Sequence, residues 1–148
     1  MTVYYLDSSA WVKRYVFEVG SDFVGNLFSR KDSLACSALG LVEITATLAR
    51  KRKAGDLGEA DLVLLIARSR KDWEGFYQIP LFSAVVDSAL SLARTEALRG
   101  ADALHLGSAL LLATFLDERQ SELVFVGSDR DLNAAAGRLG LTVVDPGR

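Results

Sequence analysis

An α/β fold around a parallel sheet of about five strands is what this sequence predicts, and three observations predict it. Short apolar runs rich in β-branched and aromatic residues recur along the chain. Segments with helical periodicity separate them, the alternation that parallel sheets require. Capping and stop residues punctuate the helical segments. At 148 residues, half of them hydrophobic, the chain suits a single domain spanning 1–148 with a real core.

The first strand is Val3 to Leu6, followed by a short helix from Ser9 to Val16. Ser21 is placed to cap a helix running to Ser29. Leu34 to Cys36 reads as the second strand. Ser37 then caps a long helix through Glu43 to Lys53, stopped at Gly55. Asp56-Leu57-Gly58-Glu59 has the form of a capping box opening a helix to about Trp73. Phe76 to Ile79 is the third strand. Ser83 caps a helix to Arg99 with Gly100 as its stop, and another helix runs from Ala101 to about Leu116. Leu123 to Val126 is the fourth strand. A last helix, Asp131 to Leu139, is closed by Gly140 and followed by the strand Thr142 to Val144.

Composition excludes several classes. No apolar stretch reaches about 18 residues, so no transmembrane helix is expected. Met1-Thr2-Val3-Tyr4-Tyr5-Leu6-Asp7 lacks a secretory leader's basic region. One cysteine and one histidine rule out an internal disulfide and argue against structural zinc, and a reducing cytoplasm is the expected compartment. Cys36 reads as strand packing. A net charge of -2 does not mark a nucleic-acid binder by bulk charge. Basic clusters nevertheless stand at Arg50-Lys51-Arg52-Lys53 and at Arg68, Arg70 and Lys71. Arg50, Arg52 and Lys53 are the first candidates for RNA contact. Trp11, Tyr15 and Phe17 fit either core packing or a dimer surface.

The chemistry lies in four acids set among apolar or small residues: Asp7, Glu43, Asp102 and Asp129. Carboxylates are rarely buried unless paired or bound to metal. Asp7 and Asp129 follow strand ends, where ligand sites of open α/β sheets gather. Asp102 falls in the first turn of its helix, and Glu43 shares a helix face with Leu39, Ala46 and Thr47. Like charges about 5 Å apart cost roughly 3 kcal/mol per pair at a dielectric near 20. Several such terms demand protons or a shared divalent cation. Hard oxygen ligands select Mg2+, or Mn2+, over zinc or copper. Such an ion prepares water for attack on a phosphodiester.

The segments that carry these acids also resemble a family. Tyr5-Leu6-Asp7-Ser8-Ser9-Ala10-Trp11, Leu41-Val42-Glu43-Ile44, Gly100-Ala101-Asp102-Ala103-Leu104-His105-Leu106-Gly107-Ser108-Ala109-Leu110 and Phe125-Val126-Gly127-Ser128-Asp129-Arg130-Asp131-Leu132 are similar to the PIN-domain ribonucleases. Within that group they look like the VapC-type toxins. The resemblance spans essentially the whole chain. It implies a PIN-like three-layer α/β/α fold and a magnesium-dependent endoribonuclease cutting structured RNA such as tRNA or rRNA. It further implies a homodimer neutralised by a VapB-like antitoxin. Asp7, Glu43, Asp102 and Asp129 would take the catalytic and metal-binding roles, with Ser9 orienting the site. The family often has Thr-x-Asp at the fourth motif, whereas Gly127 stands here in the Thr place. Ser128 then becomes the candidate to brace Asp129. Asp131 is a possible fifth carboxylate, though capping of the last helix is the expected role. His105 is expected to pack beside the site rather than to act as a base. Three rival readings stand beside this one: a PIN nuclease for RNA maturation without an antitoxin, an α/β signalling or phosphatase domain, and a non-catalytic RNA-binding module. Phosphatases of the strand-end type want Asp at position 9, which is Ser; receivers want an acid beside Asp7, which is preceded by Leu6.

Overall fold

The computed structural model describes residues 1–148 and has the expected architecture. Five parallel strands form one sheet: β1 (Thr2–Leu6), β2 (Ser33–Ser37), β3 (Tyr77–Ile79), β4 (Glu122–Val126) and β5 (Thr142–Val144), in the order β3-β2-β1-β4-β5. The helices are α1 (Ser8–Trp11), α2 (Ser21–Ser29), α3 (Ala38–Lys53), α4 (Glu59–Glu74), α5 (Ser83–Thr95), α6 (Gly100–Asp117) and α7 (Arg130–Arg138). A 3-10 turn, Val12–Arg14, follows α1.

Period-two alternation explains the three layers. Val3 and Tyr5 of β1, with Leu123 and Phe125 of β4, face a core built with Val85, Leu92, Leu106, Leu116 and Leu132 from α5, α6 and α7. Leu6, Leu34, Val124 and Val126 face the other way, onto Trp11, Leu27, Ile44 and Leu48 from α1, α2 and α3. Both faces are covered, which suits an all-parallel sheet. Trp11 is fully buried and stacks on Trp73, whereas Phe17 is exposed. Cys36 is a buried free thiol, as packing requires. No helix is long and apolar enough to cross a membrane.

Several predicted boundaries move, each for a local reason. The helix expected over Ser9 to Val16 is a one-turn α1 that tightens into the 3-10 turn. Ser21 is the first residue of α2 rather than its cap; Gly20, with φ 95°, holds the cap position, and Ser21 Oγ instead accepts from Glu18 N. The Asp56–Glu59 box does not form, because Glu59 pairs with Arg52 across the turn and Gly58 takes the cap position. Likewise Phe82, not Ser83, precedes α5. That helix ends at Thr95, where Ala97 enters the left-handed region at φ 52°, and Gly100 opens α6 instead of closing α5. The early stop leaves Leu98 against the apolar core and puts Arg99 at the head of α6.

Connectivity sets the position of the site. The chain runs outward from β1 through β2 to β3, then returns to place β4 on the other side of β1. The C-terminal ends of β1 and β4 therefore flank the topological switch point, where α/β folds hold their ligands.

Candidate active site

Asp7 follows β1 directly, and its N–H donates to Val126 O of β4 at 3.1 Å. Its carboxylate does two jobs with two oxygens. Oδ1 accepts from Ala10 N (2.9 Å), capping α1, and from Ser9 Oγ (2.7 Å). Oδ2 points toward Gly127: a Cβ on that residue would lie 2.9 Å from it. Asp129 repeats the division after β4. Its Oδ1 accepts from Leu132 N at 2.8 Å and caps α7. Its Oδ2 lies 3.3 Å from Arg99 Nη2. The role of helix cap, which sequence assigned to Asp131, thus belongs to Asp129; Asp131 sits exposed in the first turn, because the helix starts one residue earlier than expected.

Ser9 ties the first and fourth acidic segments together. While donating to Asp7, its Oγ accepts from Ser128 N at 3.0 Å. The Ser128 side chain does not brace Asp129 as expected. Its Oγ is sealed from solvent without a hydrogen-bond partner, and so is Asn133 Oδ1. Asn133, whose Nδ2 donates to Gly127 O at 2.7 Å, is a site neighbour that sequence reasoning missed. Only its place four residues after Asp129, one turn into α7, could have signalled it.

Asp102 sits in the first turn of α6, and its Oδ2 accepts from Arg99 at 3.2 Å. One guanidinium therefore touches both Asp102 and Asp129, joining the third and fourth acids. Glu43 reaches the same helix through His105: Nε2 of the ring lies 2.5 Å from Glu43 Oε1, and Nδ1 2.9 Å from Tyr5 Oη. Tyr5 Oη also accepts from Ser37 N at 3.2 Å. His105 is 1 % exposed, so the expected packing role holds, but the histidine also fixes the orientation of Glu43. Sequence spacing could not show that pairing, which spans two helices. Close approach of α3 makes it possible: Gly40 leaves room for the neighbouring His105, Trp11 and Cys36 side chains.

Electrostatics agree with the geometry. Burial pushes the Asp7 carboxyl above its ordinary range, and Asp102 adds to the rise, against lowering by His105, Ser9 and Ala10. Burial also raises the Cys36 thiol, with Asp7 and Glu43 contributing. For Glu43, burial pulls upward, but the hydrogen bond and charge of His105 outweigh it, helped by Ser8 and Arg50, and the net shift is downward. Asp7 therefore senses Asp102, and Cys36 senses both Asp7 and Glu43, as charges gathered at one edge would.

No three acidic or histidine side chains form a ready-made metal cage. The donor set nevertheless fits a hard divalent cation. Every candidate ligand is a carboxylate oxygen, and Asp7 keeps Oδ2 clear of its own capping bonds. A cationic guanidinium already bridges Asp102 and Asp129, so that gap holds positive charge. Ser128 Oγ and Asn133 Oδ1 are buried oxygens without partners, on the residue before Asp129 and one turn after it. Of the basic candidates, Arg50 lies two turns after Glu43 on α3 and helps lower its pKa. Arg52 is paired with Glu59, and Lys53 is exposed at the helix end. Arg68, Arg70 and Lys71 are exposed on α4.

A five-stranded parallel sheet with acids at the switch point is the architecture of the PIN-domain class. No protein-family model matches the sequence. Ribonuclease VapC45 of Mycobacterium tuberculosis, however, is 36% identical over 147 residues, covering 97% of this chain and 95% of the relative. The chain belongs to the VapC ribonuclease family. Solved structures share the fold: FitAcB from Neisseria gonorrhoeae (TM-score 0.65, 18% identity, 99% and 98% of the two chains) and a toxin–antitoxin complex from Klebsiella pneumoniae (TM-score 0.63, 16% identity, 96% and 96%).

Proposed function

We propose that this VapC-family ribonuclease is a magnesium-dependent toxin that hydrolyses phosphodiester bonds of structured RNA such as tRNA or rRNA. The observation that carries the reading is the meeting of Asp102 Oδ2 and Asp129 Oδ2 on one nitrogen of Arg99, with the charge of Asp102 felt by the buried Asp7 carboxyl. Asp7, Asp102 and Asp129 would hold the ion, and Glu43 completes the set or takes a second ion. Mg2+, or Mn2+, would supply charge for the phosphoryl oxygens and acidify a water. The chain's own work is positioning. Ser9 locks Asp7 to the fourth motif. The caps of α1 and α7 stop Asp7 and Asp129 from rotating away. His105 and Tyr5 hold Glu43 toward the crevice. A water nucleophile attacking in line leaves a 5′-phosphate and a 3′-hydroxyl, because the ribose 2′-hydroxyl takes no part.

Membership of this family and the Klebsiella pneumoniae toxin–antitoxin complex support a VapB-like antitoxin as partner, and a homodimer is the proposed assembly. Cleavage of total tRNA and rRNA in Mg2+ and in EDTA, by wild type and Asp7→Asn, tests the reading. We expect cutting only by wild type with Mg2+, with Asp7→Asn reduced about a thousandfold or more. Equal cutting in EDTA, or by the Asn variant, would overturn it.

A further inference from the structure

Arg99 has an anchored base and a free head. Its carbonyl accepts from Ala103 N at 2.9 Å as α6 begins, and its backbone is extended (φ -63°, ψ 152°). The preceding Leu98 packs on the core. The guanidinium, by contrast, belongs to a side chain 79% exposed, and all its hydrogen bonds go to two site carboxylates. Asp102 and Asp129 are much less exposed, at 19% and 34%. The cation therefore lies over the acids from the solvent side, where substrate must enter.

A divalent ion and this guanidinium want the same oxygens. Two solvent-facing ion pairs hold the arginine weakly, whereas a doubly charged ion gains from every carboxylate at once. Once displaced, the guanidinium stays tethered at the rim of the same site. Its planar fork matches a phosphate in bidentate fashion, which a lysine cannot do.

We infer that Arg99 is a substrate-binding residue for the RNA phosphate, held on Asp102 and Asp129 until a divalent ion takes its place. This rests on the reading of the acids as a metal site. In the metal-free chain Arg99 offsets repulsion between the two carboxylates; in the loaded chain it turns to the substrate. The arginine thus delays metal uptake and strengthens RNA binding, two opposite effects of one side chain.

Calorimetric titration with Mn2+ and fluorescence anisotropy with intact RNA in Ca2+ test this on wild type, Arg99→Gln and Arg99→Lys. Arg99→Gln should bind Mn2+ about three- to tenfold more tightly, because up to two weak ion pairs no longer compete. It should bind RNA about tenfold more weakly, with Arg99→Lys between on both readouts. Mn2+ affinity equal to or below wild type in Arg99→Gln overturns the inference. So does tighter Mn2+ binding with unchanged RNA affinity. A wild-type chain that takes up no Mn2+ overturns the nuclease reading itself and this inference with it.

Discussion

Replacing Gly127 with alanine places one methyl group against the inward oxygen of Asp7. An ideal Cβ there would lie 2.9 Å from Asp7 Oδ2, 2.9 Å from Asn133 Oδ1 and 3.1 Å from Phe125 Cε1. None of the three neighbours gives way freely. Phe125 is fully buried and stacked on Tyr5 at 5.6 Å. Asn133 is tied to Gly127 O, and Asp7 is pinned by Ser9 and Ala10. Overpacking of this kind costs about 1–3 kcal/mol. For a chain of this size that lowers the melting temperature by about 3–10 °C. Rotation of Asp7 relieves its own share of the clash and breaks its two Oδ1 bonds. Divalent-ion affinity should then fall about tenfold, a loss of about 1.4 kcal/mol. Melting curves in EDTA and Mn2+ titration read the two effects separately. Asn133→Ala removes one colliding atom, so the double variant should recover part of the lost stability, a coupling between neighbours. A Gly127→Ala chain with wild-type melting and wild-type ion affinity would refute the assigned orientation of Asp7.

Two further outcomes follow from the same geometry. Burial raises the Asp7 pKa, so the ionised form weakens the metal-free fold: stability falls as pH rises from the unfolded carboxylate value near about 3.9 through the higher folded value. Asp7→Asn keeps a capping oxygen and does not titrate, so in EDTA its stability advantage over wild type should grow across that window and then level off. Denaturation in urea at a series of pH values measures this, and a pH-independent difference would contradict it. His105→Ala removes a fully buried ring bonded to Tyr5 and Glu43, with an expected cost of about 2–4 kcal/mol and reduced cleavage. A thermal melt and an RNA cleavage assay check it; unchanged melting would mean the ring is not seated as described.

Much of this molecule was legible in its sequence, and the exceptions have physical causes. All five strands announced themselves, because a sheet buried on both faces needs short apolar runs. Asp7 and Asp129 were visible as acids just past strand ends. Their second role as helix caps was only half visible: sequence offered Asp131 for α7, and the cap fell two residues earlier, on Asp129. Gly100 could stop one helix or start the next. The left-handed turn at Ala97 decided that, and no local signal marks it, since alanine rarely adopts that conformation. Arg99 went unnoticed because its importance depends on that decision. The Glu43–His105–Tyr5 chain joins a strand and two helices, with partners 62 and 100 residues apart, beyond any periodicity argument. Gly127 read as a departure from the family pattern, yet in the fold it is the space that Asp7 Oδ2 faces.

The most direct test of the whole account is a crystal soaked in Mn2+ and measured at the manganese absorption edge. We predict one strong anomalous peak within coordination distance of Asp7 Oδ2, Asp102 and Asp129, with the Arg99 guanidinium moved off the two carboxylates. A peak elsewhere, or none while Arg99 still bridges Asp102 and Asp129, would contradict it.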